Sequence, residues 1–413
     1  MSDLQTQLDL LRQRVARINS KYSEAPQRGN EPAESRYGVE EWLDGEEVET
    51  PGGHHFVTCR RWEPHRRHGS MDIATLSELP DDLLEAVSEG TIGAAPPSRW
   101  CFLDTETTGL AGGTGTYAFL IGVGYLDGGA FRVKQYFLRE PGEEASALEA
   151  LNEQLAQFDV IVTYNGKSFD LPLLETRFRM ARMRPPFDRM GHLDLLHGAR
   201  RLWKLRFDNC RLMELENQIL GVEREGDVPG ELIPYLYFDY LRKGEILRLV
   251  PVFHHNAIDV LTLACLTAIV PYAFRDPREA RLVHGAEMMG LARWLQKAGR
   301  LEEALAWMRQ ALERRLPDAL LFRAMWDVAQ LERKLGREHA SLAMYVELAA
   351  SRNPHQVQAL EELAKHYEHR ERNHSMALEF TRQALALNDG AELRHRKARL
   401  ERKLAPRLAP RLL

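Results

Sequence analysis

The chain has 413 residues, 44% of them hydrophobic and 28% charged, with a formal net charge of −5. Such a length exceeds one ordinary core and points to two or three domains, while the net acidity excludes a global basic field. Four scattered cysteines (Cys59, Cys101, Cys210, Cys265) give no CxxC pair and no zinc-ligand spacing, which indicates reduced thiols and a cytoplasmic setting.

The opening "MSDLQTQLDLLRQRVARI" predicts a charged amphipathic helix without the apolar centre of a signal peptide. A polar, Pro- and Gly-bearing stretch, "SEAPQRGNEPAESRYG", reads as a linker. "GHHFVTCRRWEPHRRHG" predicts a strand with a basic, His-rich tail; a solvated loop is weighed there against a metal or phosphate site. Residues 1–97 thus form a lead-in of helix, linker and irregular or β structure. No run of eighteen uncharged apolar residues occurs, so a membrane partner is not expected.

Over 98–275 strands and helices mix. "RWCFLDTE", "TYAFLIGVGYL" and "AFRVKQYFL" are strand-length runs separated by the Gly-rich turns "GLAGGTG" and "LDGGA". These turns are too short for crossover helices, so the three strands form an antiparallel meander. The helical "EEASALEALNEQLAQ" then leads to "DVIVTYN", a fourth and parallel strand. Three antiparallel strands, a helix and a parallel strand are the opening order of an α/β ribonuclease H-like fold with a mixed sheet flanked by helices.

From 280 to 390 the pattern is all-α. "RLEEALAWMRQAL", "EHASLAMYVELAA" and "NHSMALEFTRQAL" align on Ala304, Ala343 and Ala377, each followed seven residues later by Ala311, Ala350 or Ala384. The spacings of 39 and 34 residues predict about three tetratricopeptide-like helical hairpins. Residues 391–413 form a basic C-terminal tail.

The chemistry gathers on acids. In "FLDTETTGL", Asp104 and Glu106 share one strand face and repel each other unless a cation lies between them. "YNGKSFDLPLL" places Asp170 at a helix start, "GHLDLLHGARRLW" holds Asp194, and "FHHNAIDVLTL" puts Asp259 one turn after His255. For Asp194 a cap or solvated position stands beside a catalytic one.

This ordered set resembles the DEDD superfamily of 3′-to-5′ exonucleases. More closely, "LDTETTGLAGGTGTYAFLIGVG", "YNGKSFDLPLL" and "HNAIDVLTL" resemble the YprB-type ribonuclease H-like family over about 98–275, and the helical repeats fit the tetratricopeptide tail of some bacterial members. The resemblance implies that Asp104, Glu106, Asp170 and Asp259 hold two Mg²⁺ or Mn²⁺ ions, whose oxygen preference suits carboxylates. It implies His255 as the base that activates water, favoured by its four-residue spacing over His254 at five.

Basic stretches with interleaved aromatics flank these segments: Arg177 and Arg179 with Phe178, then Arg200, Arg201, Trp203 and Lys204. They are candidates for phosphate neutralisation and base stacking, or for basic helix faces over a core. Asn165, Lys167 and Ser168 are candidates for strand contact, and Gly109, Gly112, Gly113 and Gly115 for a backbone phosphate cradle. The function expected is a metal-dependent 3′-to-5′ exonuclease acting on single-stranded DNA or RNA, with repeats that recruit a protein partner or extend the substrate path. A nucleic-acid-binding protein with a weak nuclease-like domain and a structure-specific endonuclease stand as alternatives.

Overall fold

Two strands of the lead-in, β1 (Gly45–Thr50) and β2 (Gly53–Trp62), pair antiparallel and extend a seven-stranded sheet. This computed structural model describes residues 38–109 and 115–405. The N-terminal helix expected from the sequence, Gly112, Gly113 and the end of the basic tail lie outside those residues. The chain divides into two units: residues up to Gly198 with Arg211–Arg275, and Ala199–Cys210 with Asp276 onward.

In the first unit a short hairpin, β3 (Arg67–His68) with β4 (Met71–Asp72), follows β2. The meander expected from the sequence is β5 (Trp100–Thr107), β6 (Ala118–Asp127) and β7 (Ala130–Phe137). Its β6–β7 turn is closed by Gly128 and Gly129, both at positive φ, the backbone that a tight hairpin turn demands. Helix α1 (Glu144–Leu155) returns the chain to β8 (Val160–Thr163), which pairs parallel with β5. Helix α2 (Asp170–Met180) leads to β9 (Gly191–Asp194), parallel to β8, and α3 (Leu195–Trp203) follows, its residues from Ala199 onward belonging to the second unit. The sheet order is β1-β2-β7-β6-β5-β8-β9, with β1 and β9 at the edges.

Beside short helices such as Leu83–Val87 and Leu212–Leu215, the unit holds two longer ones, α4 (Ile233–Lys243) and α5 (Val250–Arg275). Leu148 and Leu151 of α1, Leu174 and Phe178 of α2, and Phe253 of α5 share one apolar core with Cys101, Leu103 and Ile161 of the strands. Helix α5 is apolar nearly all round, the pattern of an element buried on every side. Among the described residues, Ile246–Arg275 alone is long and apolar enough to cross a membrane, yet 78% of its most apolar stretch is buried within the protein.

The second unit is built of antiparallel helix pairs: α6 (Gly285–Lys297) with α7 (Leu301–Leu312), α8 (Asp318–Lys334) with α9 (Glu338–Ala350), α10 (Gln356–His369) with α11 (His374–Leu387), then α12 (Ala391–Leu404). Ala304, Ala311, Ala377 and Ala384 are fully buried, whereas Ala343 and Ala350 are exposed. In the middle pair Ser341 and Leu348 take the packed positions, two residues earlier. The Ser341 hydroxyl donates to the Ala329 carbonyl at 2.9 Å, so a small polar residue fills the place of alanine. Glu368 of α10 is buried and accepts from Arg396, Arg399 and Lys403 of α12, which pulls its carboxyl down to about 2 against the cost of burial.

One buried imidazole gives the first unit an acid limit. His55 of β2 is fully buried, shares a 2.8 Å hydrogen bond with the Ser146 hydroxyl of α1 and stacks on Tyr136. Its Nε2 has no hydrogen-bond partner, and burial, reinforced by Lys134 and Arg139, pushes its pKa down to about 4. With an unfolded value of about 6.5, the unfolded chain binds this proton first, so the contribution is complete above about pH 6.5 and is lost as pH falls toward 4. Chemical-denaturation midpoints between pH 7 and 4 should therefore fall less steeply for His55→Gln than for the wild type.

Candidate active site

The floor of the site is the C-terminal half of β5. Asp104 and Glu106 project from one face, paired across the ladder with Gly122 and Leu120 of β6, and a bulge follows Glu106. Helix α5 lies against that face. Its buried Asn256 donates to Asp104 Oδ2 at 2.9 Å and accepts from Gln135 Nε2 at 2.8 Å. This approach needs a glycine opposite Asp104, because a Cβ on Gly122 would lie 2.3 Å from Asn256 Oδ1.

Asp170 enters from the start of α2, where its Oδ1 accepts the Thr105 hydroxyl at 2.5 Å. A cleft of about 530 Å³ opens here, lined by Asp104, Glu106, Asp170, Asn165, Ser168 and Phe169. Phe169 is 59% exposed, which is unusual for a large apolar ring and leaves its face available.

The acids suffer for their positions. Loss of solvent, then the charges of Asp259 and Asp170, hold Asp104 well above the usual carboxylate range. Loss of solvent and the charges of Asp104, Asp259 and Asp170 do the same to Glu106. Burial lifts Asp170 to about 6, although Thr105 pulls the other way. Among the described residues no three His, Cys, Asp or Glu side chains are gathered tightly enough to hold a metal ion as they stand. What Asp104, Glu106 and Asp170 share is an excess of negative oxygen donors, and that chemistry fits a hard divalent cation.

The two histidines of α5 part company. His254 is exposed and shares a 2.8 Å hydrogen bond with Arg60. His255 is buried, with Nε2 3.9 Å from Glu106 Oε1 and 3.6 Å from Asp259 Oδ2. Its Nδ1 lies 2.9 Å from Asp227, a carboxylate that only accepts, so the neutral ring carries its proton on Nδ1 and leaves Nε2 free. Burial disfavours the imidazolium, but the hydrogen bond to Asp227 and the charge of Asp259 outweigh it and hold the His255 pKa above its ordinary value.

Asp227 and Arg224 belong to "VEREGDVPG", a loop whose part in the site has no signal in the sequence. Arg224 reaches Asp259 Oδ1 at 2.5 Å and Glu216 Oε2 at 2.5 Å. Glu216 is fully buried and is met by Thr262 and by His68, which the "HRRHG" stretch delivers on the β3–β4 hairpin. That stretch is neither a solvated loop throughout nor a metal cluster; His68 is buried because a carboxylate and a hydroxyl meet its Nε2.

Asp194 does not join the acids. It is buried and accepts the backbone N–H groups of Asn165 (2.8 Å), Lys167 (3.1 Å) and Leu196 (3.1 Å). It thus pins the turn in which Asn165 takes a left-handed φ of 66°, a conformation asparagine tolerates better than most residues. Lys167 and Ser168 are left exposed.

The basic candidates divide by burial. Arg177 is buried, bonded twice to Glu144 and placed 3.9 Å over the Tyr117 ring, so it is a core tether rather than a phosphate contact. Phe178 is fully buried against Phe187 and cannot stack a base. Trp203 is likewise buried, with its indole N–H donating to Glu287 of the helical unit. Arg201 lies over Trp294. Arg179, Arg200 and Lys204 are exposed, Arg179 in a pair with Glu175.

A seven-stranded mixed sheet with acids at the end of an interior strand, where antiparallel pairing gives way to parallel, and at a neighbouring helix start is the architecture of the ribonuclease H-like class. Consistent with it, the family model described as RNase_H superfamily matches residues 101–270. The chain is also 35% identical, over 349 residues, to the "Uncharacterized protein YprB" of Bacillus subtilis (strain 168), covering 82% of this chain and 83% of that protein. It therefore belongs to the YprB family of ribonuclease H-like proteins.

The contact between α5 and β6 is sensitive to a single methyl group. Gly122→Ala should cost about 1–3 kcal/mol through overpacking against Asn256, measured by urea unfolding, with Gly128→Asn in the β6–β7 turn as a milder control.

Proposed function

We propose that this chain is a divalent-metal-dependent nuclease that removes nucleotides from the 3′ end of single-stranded DNA or RNA. The observation that carries the reading is the unmet charge of Asp104, Glu106 and Asp170 at the head of an open cleft with an exposed aromatic ring. Asp104, Glu106, Asp170 and Asp259 are the residues that would hold Mg²⁺ or Mn²⁺, two ions in this reading. Such ions lower the pKa of an attacking water and stabilise the leaving oxygen of a phosphodiester.

The protein's own groups divide the remaining work. His255 Nε2, free because Asp227 holds the other nitrogen, accepts the proton of the attacking water. Phe169 offers a face on which the terminal base can stack, and Lys167 and Ser168 are exposed beside it for backbone contact. Asn256 fixes the carboxylate of Asp104, and Asp194 fixes the turn that leads into Asp170. We read the helical pairs as a tetratricopeptide-like scaffold for a protein partner.

The test is digestion of end-labelled linear strands beside circular ones, of DNA and RNA, with Mg²⁺, Mn²⁺ or EDTA. Loss of single nucleotides from 3′ ends, abolished by EDTA, is the expected result; cut circles indicate an endonuclease, and no cleavage indicates a binding protein. Asp104→Asn should lower the rate roughly a thousandfold, the several kcal/mol that metal ions contribute. Its stability in EDTA should rise, since a repelled carboxylate is removed. Asp259→Asn should instead lose about 1–3 kcal/mol, because it removes one of the three carboxylates that hold the Arg224 guanidinium.

A further inference from the structure

We propose that Arg224 is a resident cation of the acidic site, which selects the oxygen that Asp259 presents and restrains the affinity of the site for metal. The side chain is 7% exposed and fixed on three sides. Its Nη2 donates to Asp259 Oδ1 at 2.5 Å, its Nε to Glu216 Oε2 at 2.5 Å, and its Nη1 to Asp227 Oδ2 at 3.2 Å. Glu216 is in turn held by the Thr262 hydroxyl at 2.9 Å and by His68 Nε2 at 3.1 Å, with no exposure of its own. A guanidinium so anchored does not swing aside.

Two consequences follow for the acids. Asp259 Oδ1 is committed to Arg224, so Oδ2 is the oxygen turned toward His255 Nε2, 3.6 Å away. One positive charge is also built permanently into a cluster whose remaining carboxylates repel one another. The same loop supplies Asp227, which sets the proton of His255, so "VEREGDVPG" positions both titratable residues, His255 and Asp259, that α5 turns toward the acids. Arg224 is in these terms a positioning residue: it touches no substrate and acts through Asp259.

A salt bridge that merely tied this loop to α5 would have a different signature. Removing a structural tie loosens the site and weakens metal binding. Removing a resident cation raises the negative potential at the carboxylates, so metal binds more tightly while the geometry that chemistry needs is lost.

The proposal rests on the metal-dependent reading, and titration of the full-length chain with Mn²⁺ alone, followed by the electron paramagnetic resonance of free Mn²⁺, separates the two. Arg224→Gln should bind Mn²⁺ roughly tenfold more tightly than wild type, as expected for deleting one nearby positive charge. In the nuclease assay its kcat should fall at least about tenfold with KM little changed. Unchanged or weaker Mn²⁺ binding by R224Q, beside normal binding by the wild type, overturns the role of Arg224 and leaves the nuclease reading standing. Absence of Mn²⁺ binding by the wild type overturns both. Should R224Q fail to fold, R224K decides: it keeps the charge but loses the planar fork. Affinity within about twofold of wild type with a lowered kcat supports the proposal, and weakened affinity overturns it.

Discussion

Carboxylates crowded out of water are the constraint around which this site is arranged. Asp104, Glu106 and Asp170 lose hydration, the first two also meet the charges of neighbouring carboxylates, and each is driven toward its protonated form. Left alone, such groups rotate away or neutralise themselves. The surrounding structure prevents the first outcome. Asn256 grips Asp104, Thr105 grips Asp170, and the backbone of the α2 approach is clamped on Asp194. Positions are thereby fixed before any counter-charge arrives, which is the preorganisation that electrostatic catalysis requires.

The acids were legible because their setting is periodic. Alternation along β5 puts Asp104 and Glu106 on one face, and a four-residue step on α5 aligns His255 with Asp259. The separation of His255 from His254 follows the same arithmetic, one nitrogen ring turning inward and its neighbour out to Arg60. Arg224 and Asp227 carry no such rhythm. They sit on a loop more than twenty residues before the helix they serve, and only the fold brings the segments together. Arg177 and Trp203 mislead for the opposite reason: a basic residue beside an aromatic reads identically whether it faces solvent or ties down a core, and both lie inside.

The helical unit shows a similar limit. Alanines recur at matching places in three segments, but in the middle one the packed position belongs to Ser341. Identity of letters suggested one register where packing against α8 fixed another. The order of strands β5 to β8 and the helical-hairpin class were both readable, since each depends on patterns longer than a single residue. β1 was not, because "GEEVET" has one aliphatic residue and its pairing is supplied by β2.

That outermost strand has a colloidal consequence. An open sheet ends in a row of unpaired amides and carbonyls that invites a neighbouring molecule to continue the ladder. Here the row is guarded by Glu46, Glu47 and Glu49, all exposed, while the opposite margin is the four-residue β9. Two copies of the β1 border repel on approach, which disfavours growth of the ladder through that margin from one chain into the next.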